Sequence, residues 1–464
     1  MKSVEFLVLG GGPAGLGAAC LLQEKSREWV LLEARKEVGG LASSRVDEQG
    51  FTWDLGGHVE FSHYDKFDRY VDRALGSDGW LRHQRESWVW IRQRFVPYPF
   101  QNNLHRLDVS DRDRCLAGLV EAAARQGQAK PENFAAWMTA TMGQGITDLF
   151  LRPYNRKVWG CEPEAMEYHW IGERVAVPDL ARVRKSIETG QDDVSWGPNR
   201  VFRFPRRGGT GAIWRGVGSL LPAEQLVFDA EVVRIDPSAR MVETVGGEKF
   251  KYRSLISTIP LNHLIRRTPG VVEGSMAARL RWSAATIVGV GIKGRVPDEL
   301  RTKCWMYFPE DNSPYYRVTV FSNYSPDNVP KPGEQWSLMT ETTSSADRKI
   351  DRAGLADWVI RALHEDGLLP DVADVCSVAE YDLPQAYPTP FMGRDGVVDP
   401  VLRRFEEAGI FSRGRFGAWK YEVSNQDHSF AQGYECAERL VAGGGAELEP
   451  TLFRADWVNG RRNP

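Results

Sequence analysis

Two distant stretches of this chain hold the side chains and backbone from which chemistry can be built. Residues 10–15, Gly10-Gly11-Gly12-Pro13-Ala14-Gly15, form a G-x-G-x-x-G loop after an apolar run and ahead of a helical pattern. Backbone N–H groups and a helix dipole meet there to receive a pyrophosphate. The second stretch is Trp305-Met306-Tyr307-Phe308-Pro309-Glu310-Asp311-Asn312-Ser313-Pro314-Tyr315-Tyr316-Arg317. Its aromatic, apolar strand pattern delivers one arginine. Rings stack on or cover a nucleotide, and a guanidinium fork holds phosphate oxygens. A charge in such a setting needs a partner, for which a ligand phosphate and a carboxylate are equal candidates.

The elements that must position these groups can be read coarsely. Residues 4–9 read as a strand, 14–24 as a helix and 29–33 as a second strand, a βαβ unit with buried parallel strands. From 111 to 190, apolar residues at three-to-four spacing read as a helical insertion. Short β-rich segments at 226–235, 286–293, 316–321 and 335–340 suggest an antiparallel sheet with one face covered. Residues 255–260 look like a return strand of the first domain. The stretch 414–440 ends in a helix, so the nucleotide domain is expected to be discontinuous. Residues 325–334, rich in Pro and Asn, read as a surface loop.

Composition narrows the partners. The 464 residues suggest two or three domains at about 150 residues each. A net charge of −3 gives no basic field for nucleic acid or an anionic membrane. Six scattered cysteines without C-x-x-C spacing suggest neither a metal site nor a disulfide framework. With no signal-peptide pattern after Met1 and no apolar run of about 18 residues, the expected location is cytoplasmic.

Glu33 closes the second strand about 20 residues past the glycine loop, where a carboxylate accepts ribose hydroxyls. The glycine pair in Gly39-Gly40-Leu41 and the turn Arg207-Gly208-Gly209-Thr210-Gly211 resemble the flavoprotein group that includes amine oxidases, which points to FAD. The likeness then becomes specific. Gly56-Gly57-His58-Val59-Glu60-Phe61, Val96-Pro97-Tyr98-Pro99-Phe100-Gln101, Arg152-Pro153-Tyr154-Asn155-Arg156-Lys157-Val158-Trp159, Gly172-Glu173-Arg174, Trp196-Gly197-Pro198-Asn199, the 305–317 run, Tyr387-Pro388-Thr389-Pro390 and Tyr421-Glu422-Val423-Ser424-Asn425-Gln426-Asp427-His428-Ser429 resemble eukaryotic-type UDP-galactopyranose mutases.

That resemblance implies an α/β fold with three parts. These are a discontinuous Rossmann-like FAD domain (1–85, 208–288, 406–464), a helical domain with mobile flaps (105–199) and an antiparallel-sheet substrate domain (86–104, 200–207, 289–405). Gly10, Gly12, Gly15, Glu33, Gly40, Leu41, Gly57, His58, Arg415 and Gln426 match cofactor positions, with His58 beside the flavin N5. Tyr98, Phe100 and Gln101 match uridine contacts, and Arg174 and Arg317 match the arginines on the diphosphate and sugar. Tyr307, Tyr387 and Tyr421 match phosphate-binding tyrosines; Asn155, Trp159, Asn199, Trp305 and Asn425 match other lining residues. Residues 172–179 and the segment around Asn199 match two flaps.

The implied activity is an isomerase interconverting UDP-galactopyranose and UDP-galactofuranose through a covalent adduct of reduced flavin N5 with the sugar, with Arg174, Arg317 and His58 as catalytic groups. NADPH or NADH would reduce the flavin. A homo-oligomer is a further implication. Read alone, Trp159 and Trp305 also fit a core, the tyrosines fit half-buried packing and His58 fits a structural histidine. Glu60 stands where the family usually has an aliphatic residue, and Ser195 and Ser424 where Asn and Gly are commoner. A carboxylate at 60 either bonds to the hexose or turns to solvent. The rivals are a mutase for another nucleotide-linked pyranose, an amine-oxidase-type FAD oxidoreductase, and a nucleotide-sugar binder holding FAD structurally.

Overall fold

The opening unit forms around an unbroken apolar strand. Lys2–Leu9, the helix Pro13–Glu24 and Trp29–Leu32 make a βαβ unit whose parallel strands set Phe6 opposite Trp29 and Leu9 opposite Leu32. Pro13 sits in the first turn, where its missing N–H costs no hydrogen bond. Lys249–Ser257 lies parallel on the other side of the first strand, and Ile410–Ser412 adds to it in parallel. The helix Gln426–Ala442 packs along Pro13–Glu24, bringing the far end of the chain back to the glycine loop. This is a computed structural model, and it describes residues 1–125, 127, 130–194 and 200–460.

Leu226–Val227 and Val232–Asp236 are strands, but of this first seven-stranded sheet and not of the second. Their alternating pattern specifies a strand and leaves the choice of sheet to long-range pairing. The second sheet runs in the order Val375–Pro388, Trp282–Lys293, Gln335–Ser344, Arg317–Val320, Trp305–Tyr307, Ser87–Ile91, Arg94–Pro97. Trp282–Lys293 is one continuous strand, so a domain boundary at 288 would cut it. Most pairs are antiparallel, but Trp305–Tyr307 pairs with Ser87–Ile91 in parallel. The 305–317 run is a hairpin, not a single strand, with Tyr307 directly opposite Arg317.

The helical part is bounded by side-chain caps. Asp108 accepts from the Asp111 N–H, Asn133 from the Ala136 N–H and Asp179 from the Ala181 N–H, each at 2.9 Å, satisfying donors that helix starts leave open. A π-helical turn, Thr147–Leu151, leads into Arg152–Trp159; such turns re-aim the residues that follow. The 325–334 stretch is a mostly exposed surface loop, anchored at its start by the fully buried Ser325 and Asn328, the Asn328 amide donating to the Phe321 carbonyl at 3.0 Å. All six cysteines are free thiols. Among the described residues, no helix is long and apolar enough to cross a membrane.

Candidate active site

A cleft of about 790 Å³ runs between the two sheets and the helical part. Gly10, Gly12, Glu33, Gly40 and Leu41 line one end. Gly10 holds φ +97°, and a Cβ there would lie 2.4 Å from Thr258 Oγ1. A Cβ on Gly15 would lie 1.8 Å from the Gly10 carbonyl oxygen, so the third glycine serves helix–strand packing and does not line the cleft. Gly12 differs: a Cβ there would meet only the Gly40 Cα, at 3.9 Å. It borders a cradle at a helix N-terminus that no side chain caps among the described residues, which fits a pyrophosphate. Glu33 is held by the N–H groups of Gly11 (2.6 Å) and Arg35 (2.8 Å), one on each oxygen, with lone pairs left for ribose hydroxyls. These residues fit FAD.

Beyond the cradle, the loop 56–61 crosses the cleft wall. Gly57 and His58 line the cleft, and the Gly57 N–H donates to Glu341 Oε1 at 3.0 Å. His58 Nδ1 is buried and makes no hydrogen bond among the described residues. Burial lowers its pKa to about 4; Glu341 opposes this, while Arg415 and Arg317 add to it. His58 is therefore neutral at physiological pH, with an unused nitrogen. Arg415 donates to the Ala386 carbonyl at 3.0 Å and to Ser424 O and Oγ at 3.1 Å. Ser424 is thus an inward tether for that cation. Gln426 opens its helix at the cleft, Oε1 accepting from Trp214 Nε1 at 2.6 Å.

The opposite wall carries the arginines. Arg317 is pinned by the carboxylate of Glu341, Nε to Oε1 at 2.5 Å and Nη2 to Oε2 at 2.8 Å, the two residues lying opposite in the ladder. Oε2 also accepts from the Tyr316 hydroxyl at 2.7 Å. Burial works to raise the Glu341 carboxyl, yet Arg317 beside it and the Tyr316 hydroxyl hold it below the usual value. Arg317 Nη1 makes no hydrogen bond among the described residues and remains for a ligand. Arg174 donates to the carbonyls of Glu422 (2.8 Å), Trp170 and Tyr421 (both 3.4 Å), with its guanidinium 5.3 Å from the Tyr421 ring.

Tyr98, Trp305, Tyr307, Tyr387 and Tyr421 line the same space, as do Asn155, Trp159 and Asn425. Trp305 Nε1 donates to the Tyr307 hydroxyl at 2.6 Å, and the Tyr387 and Tyr316 hydroxyls are 3.2 Å apart. The Asn155 amide donates to the Leu151 carbonyl at 2.8 Å, and its oxygen accepts no hydrogen bond among the described residues. The structure does not bring Phe100 and Gln101 to the cleft. Phe100 is fully buried with its ring 4.9 Å from Phe150, and Gln101 donates to the Ala176 carbonyl. Asn199 and Ser195 lie outside the described residues.

Sequence reasoning missed Glu341, Tyr316, Tyr154 and Arg85, all of them on the cleft wall. The demand of Arg317 for a partner was the available signal for Glu341. Arg85 lies 5.2 Å from the Tyr98 ring and 5.1 Å from the Trp305 ring. Glu60 takes neither course expected of it, being ion-paired with Arg203 at 2.6 Å. His63, Asp427 and His428 place potential ligand atoms within 4.8 Å of one another, a cluster the expectation of no metal site did not anticipate. Asp427 Oδ2 is already engaged by His63, accepting from its backbone N–H at 3.0 Å and lying 2.7 Å from Nδ1.

Comparisons extend this picture. The profile of flavin-containing amine oxidoreductases matches residues 13–391. The flavin-containing amine oxidase B of Sus scrofa is 22% identical over 55% of this chain and 50% of its own length. An amine oxidase of Oncorhynchus mykiss is 49% identical over 56% and 50%. The chain spans about half the length of these curated relatives. Putrescine oxidase bound to putrescine superposes with a TM-score of 0.63 at 14% identity, covering 95% of this chain and 99% of that one, a likeness of fold alone. A structure of reduced UDP-galactopyranose mutase superposes with a TM-score of 0.95 at 44% identity, over 99% of this chain and 98% of that one. The chain belongs to the flavin-containing amine oxidoreductase family and, within it, to the family of the UDP-galactopyranose mutases.

Proposed function

We propose that this protein is a flavin-dependent isomerase that interconverts UDP-galactopyranose and UDP-galactofuranose. The observation that carries the reading is one cleft with a dinucleotide cradle at one end and two arginines among tyrosine hydroxyls at the other. The 44% identity to a reduced mutase across nearly the whole chain supports it. When bound and reduced, FAD supplies an electron-rich ring nitrogen as nucleophile toward the anomeric carbon.

The protein's residues then bind, orient and neutralise. Arg317 Nη1 and the Arg174 guanidinium meet the diphosphate, whose negative charge grows as the sugar–oxygen bond lengthens. Glu341 keeps the Arg317 fork in one orientation, so less ordering is needed on binding. The hydroxyls of Tyr307, Tyr387 and Tyr421 donate to phosphate oxygens. Tyr98 and Trp305 cover the base, and Asn155, Trp159 and Asn425 complete the wall around the sugar. Neutral His58 on the cleft wall would offer the bound flavin a hydrogen bond without adding a cation. Residues 172–179 close the cleft against water. NADPH or NADH would enter by this same cleft to reduce the flavin.

Anaerobic incubation of dithionite-reduced protein with a panel of nucleotide sugars tests the reading. Furanose product from UDP-galactopyranose, without net consumption of reductant, is expected; its absence with every UDP-hexose would end the proposal. The family profile favours one other reading, a flavin oxidase. That enzyme would consume oxygen and release peroxide in proportion to an amine oxidised.

A further inference from the structure

We propose that Glu60 and Arg203 form a positioning pair that keeps the flavin-side loop in register with the aromatic wall on the nucleotide side, an inference that rests on the functional reading above. The loop carrying His58 is anchored on both sides of that residue. On one side the Gly57 N–H is held by Glu341 at 3.0 Å. On the other, Glu60 and Arg203 exchange main-chain hydrogen bonds of 3.0 and 2.9 Å. Their side chains add a two-point ion pair, Nε to Oε2 at 2.6 Å and Nη2 to Oε1 at 3.1 Å. Glu60 is 5% exposed and lines the cleft.

Arg203 belongs to the strand Val201–Pro205. The neighbouring Phe202 puts its ring 5.9 Å from Trp305 and 5.4 Å from Tyr324. One short path of contacts thus joins the His58 loop to the ring expected to cover the nucleotide. The outer edge of Arg203 is fixed independently, by Asp72 at 2.5 Å and Asp68 at 3.4 Å, with Trp80 4.4 Å beneath its guanidinium. The pair is therefore unequal. Without the Glu60 charge, Arg203 still has two carboxylates; without Arg203, a buried carboxylate is stranded. Glu60→Gln is the clean probe, and Arg203→Gln is best made on that background.

The test compares wild type, Glu60→Gln and the double variant by hydrogen–deuterium exchange and by steady-state kinetics of the reduced enzyme. Loss of a charge-assisted bond predicts exchange at 56–61 faster by roughly ten- to a hundredfold in Glu60→Gln, with flavin content unchanged. A fall in kcat of the order of tenfold with KM little changed is expected from a misplaced loop. Adding Arg203→Gln should add little to the exchange at 56–61, since the link to Glu60 is already weakened there, although it also unpairs Asp68 and Asp72 on the outer face. Unchanged exchange at 56–61, or fully additive losses, would overturn the inference. If wild type turns over no nucleotide sugar, the functional reading fails, while the exchange data still decide whether the pair holds the loop.

Discussion

Replacing Glu341 with glutamine removes one charge from the centre of the cleft wall while keeping its shape. The carboxylate accepts four hydrogen bonds: two from Arg317, one from the Gly57 N–H and one from the Tyr316 hydroxyl. An amide offers one accepting oxygen, and its NH2 meets donors where Glu341 offered lone pairs. With Glu341 1% exposed, water does not substitute. Breaking a buried pair by neutralising one partner costs about 3–5 kcal/mol, and the unfolding free energy should fall by that amount. A bound diphosphate would restore negative charge beside Arg317, so UDP should stabilise the variant more than wild type. Urea unfolding followed by circular dichroism, with and without saturating UDP, measures both terms. A loss below about 1 kcal/mol, in the range of an exposed pair, would refute the argument. So would an equal loss with and without UDP.

Three further outcomes follow from the same geometry. Arg317→Ala and Arg174→Ala should each lower turnover by roughly 10²–10³, the range for losing a preorganised donor to developing charge; steady-state assays of reduced enzyme with unchanged kcat and KM would remove that arginine from the mechanism. Gly12→Ala should leave the fold intact, since its Cβ meets only Gly40 Cα at 3.9 Å, while filling the cradle, so purified protein should contain little flavin by absorbance. The His58 pKa is lowered to about 4 from an unfolded value near 6.5. Below about 6.5 the unfolded chain binds the extra proton first, so stability falls with pH down to about 4, by at most about 1.4 kcal/mol per pH unit from this one group. His58→Gln should flatten that part of the stability profile, and identical acid titrations of the two proteins would exclude it.

What could be read from the chain depended on how local the deciding physics is. The glycine loop and Glu33 were legible because a positive φ, a helix start and a strand end are fixed within a few residues. The strands at 226–235 were legible locally as strands but not as members of a particular sheet, because pairing is set by distant neighbours; the domain bounds implied by the resemblance put them with the FAD domain, and they pair in the first sheet. Arg317 advertised its need for a partner, yet Glu341 became that partner only through the register of two strands. Phe100 and Gln101 carried a family pattern, but in their 3₁₀ turn Phe100 packs against Phe150 and Gln101 donates to the Ala176 carbonyl. Glu60 was visible as an oddity, and its answer, Arg203, required knowing that the two backbones meet.

A crystal structure of the reduced protein with UDP bound would be decisive. The diphosphate oxygens should lie within hydrogen-bonding distance of Arg317 Nη1 and the Arg174 guanidinium, with Arg317 still held by Glu341 and the uracil beside Tyr98 and Trp305. A diphosphate bound elsewhere, with both guanidinium groups keeping only their present protein partners, would contradict the proposal that these arginines restrain the departing nucleotide.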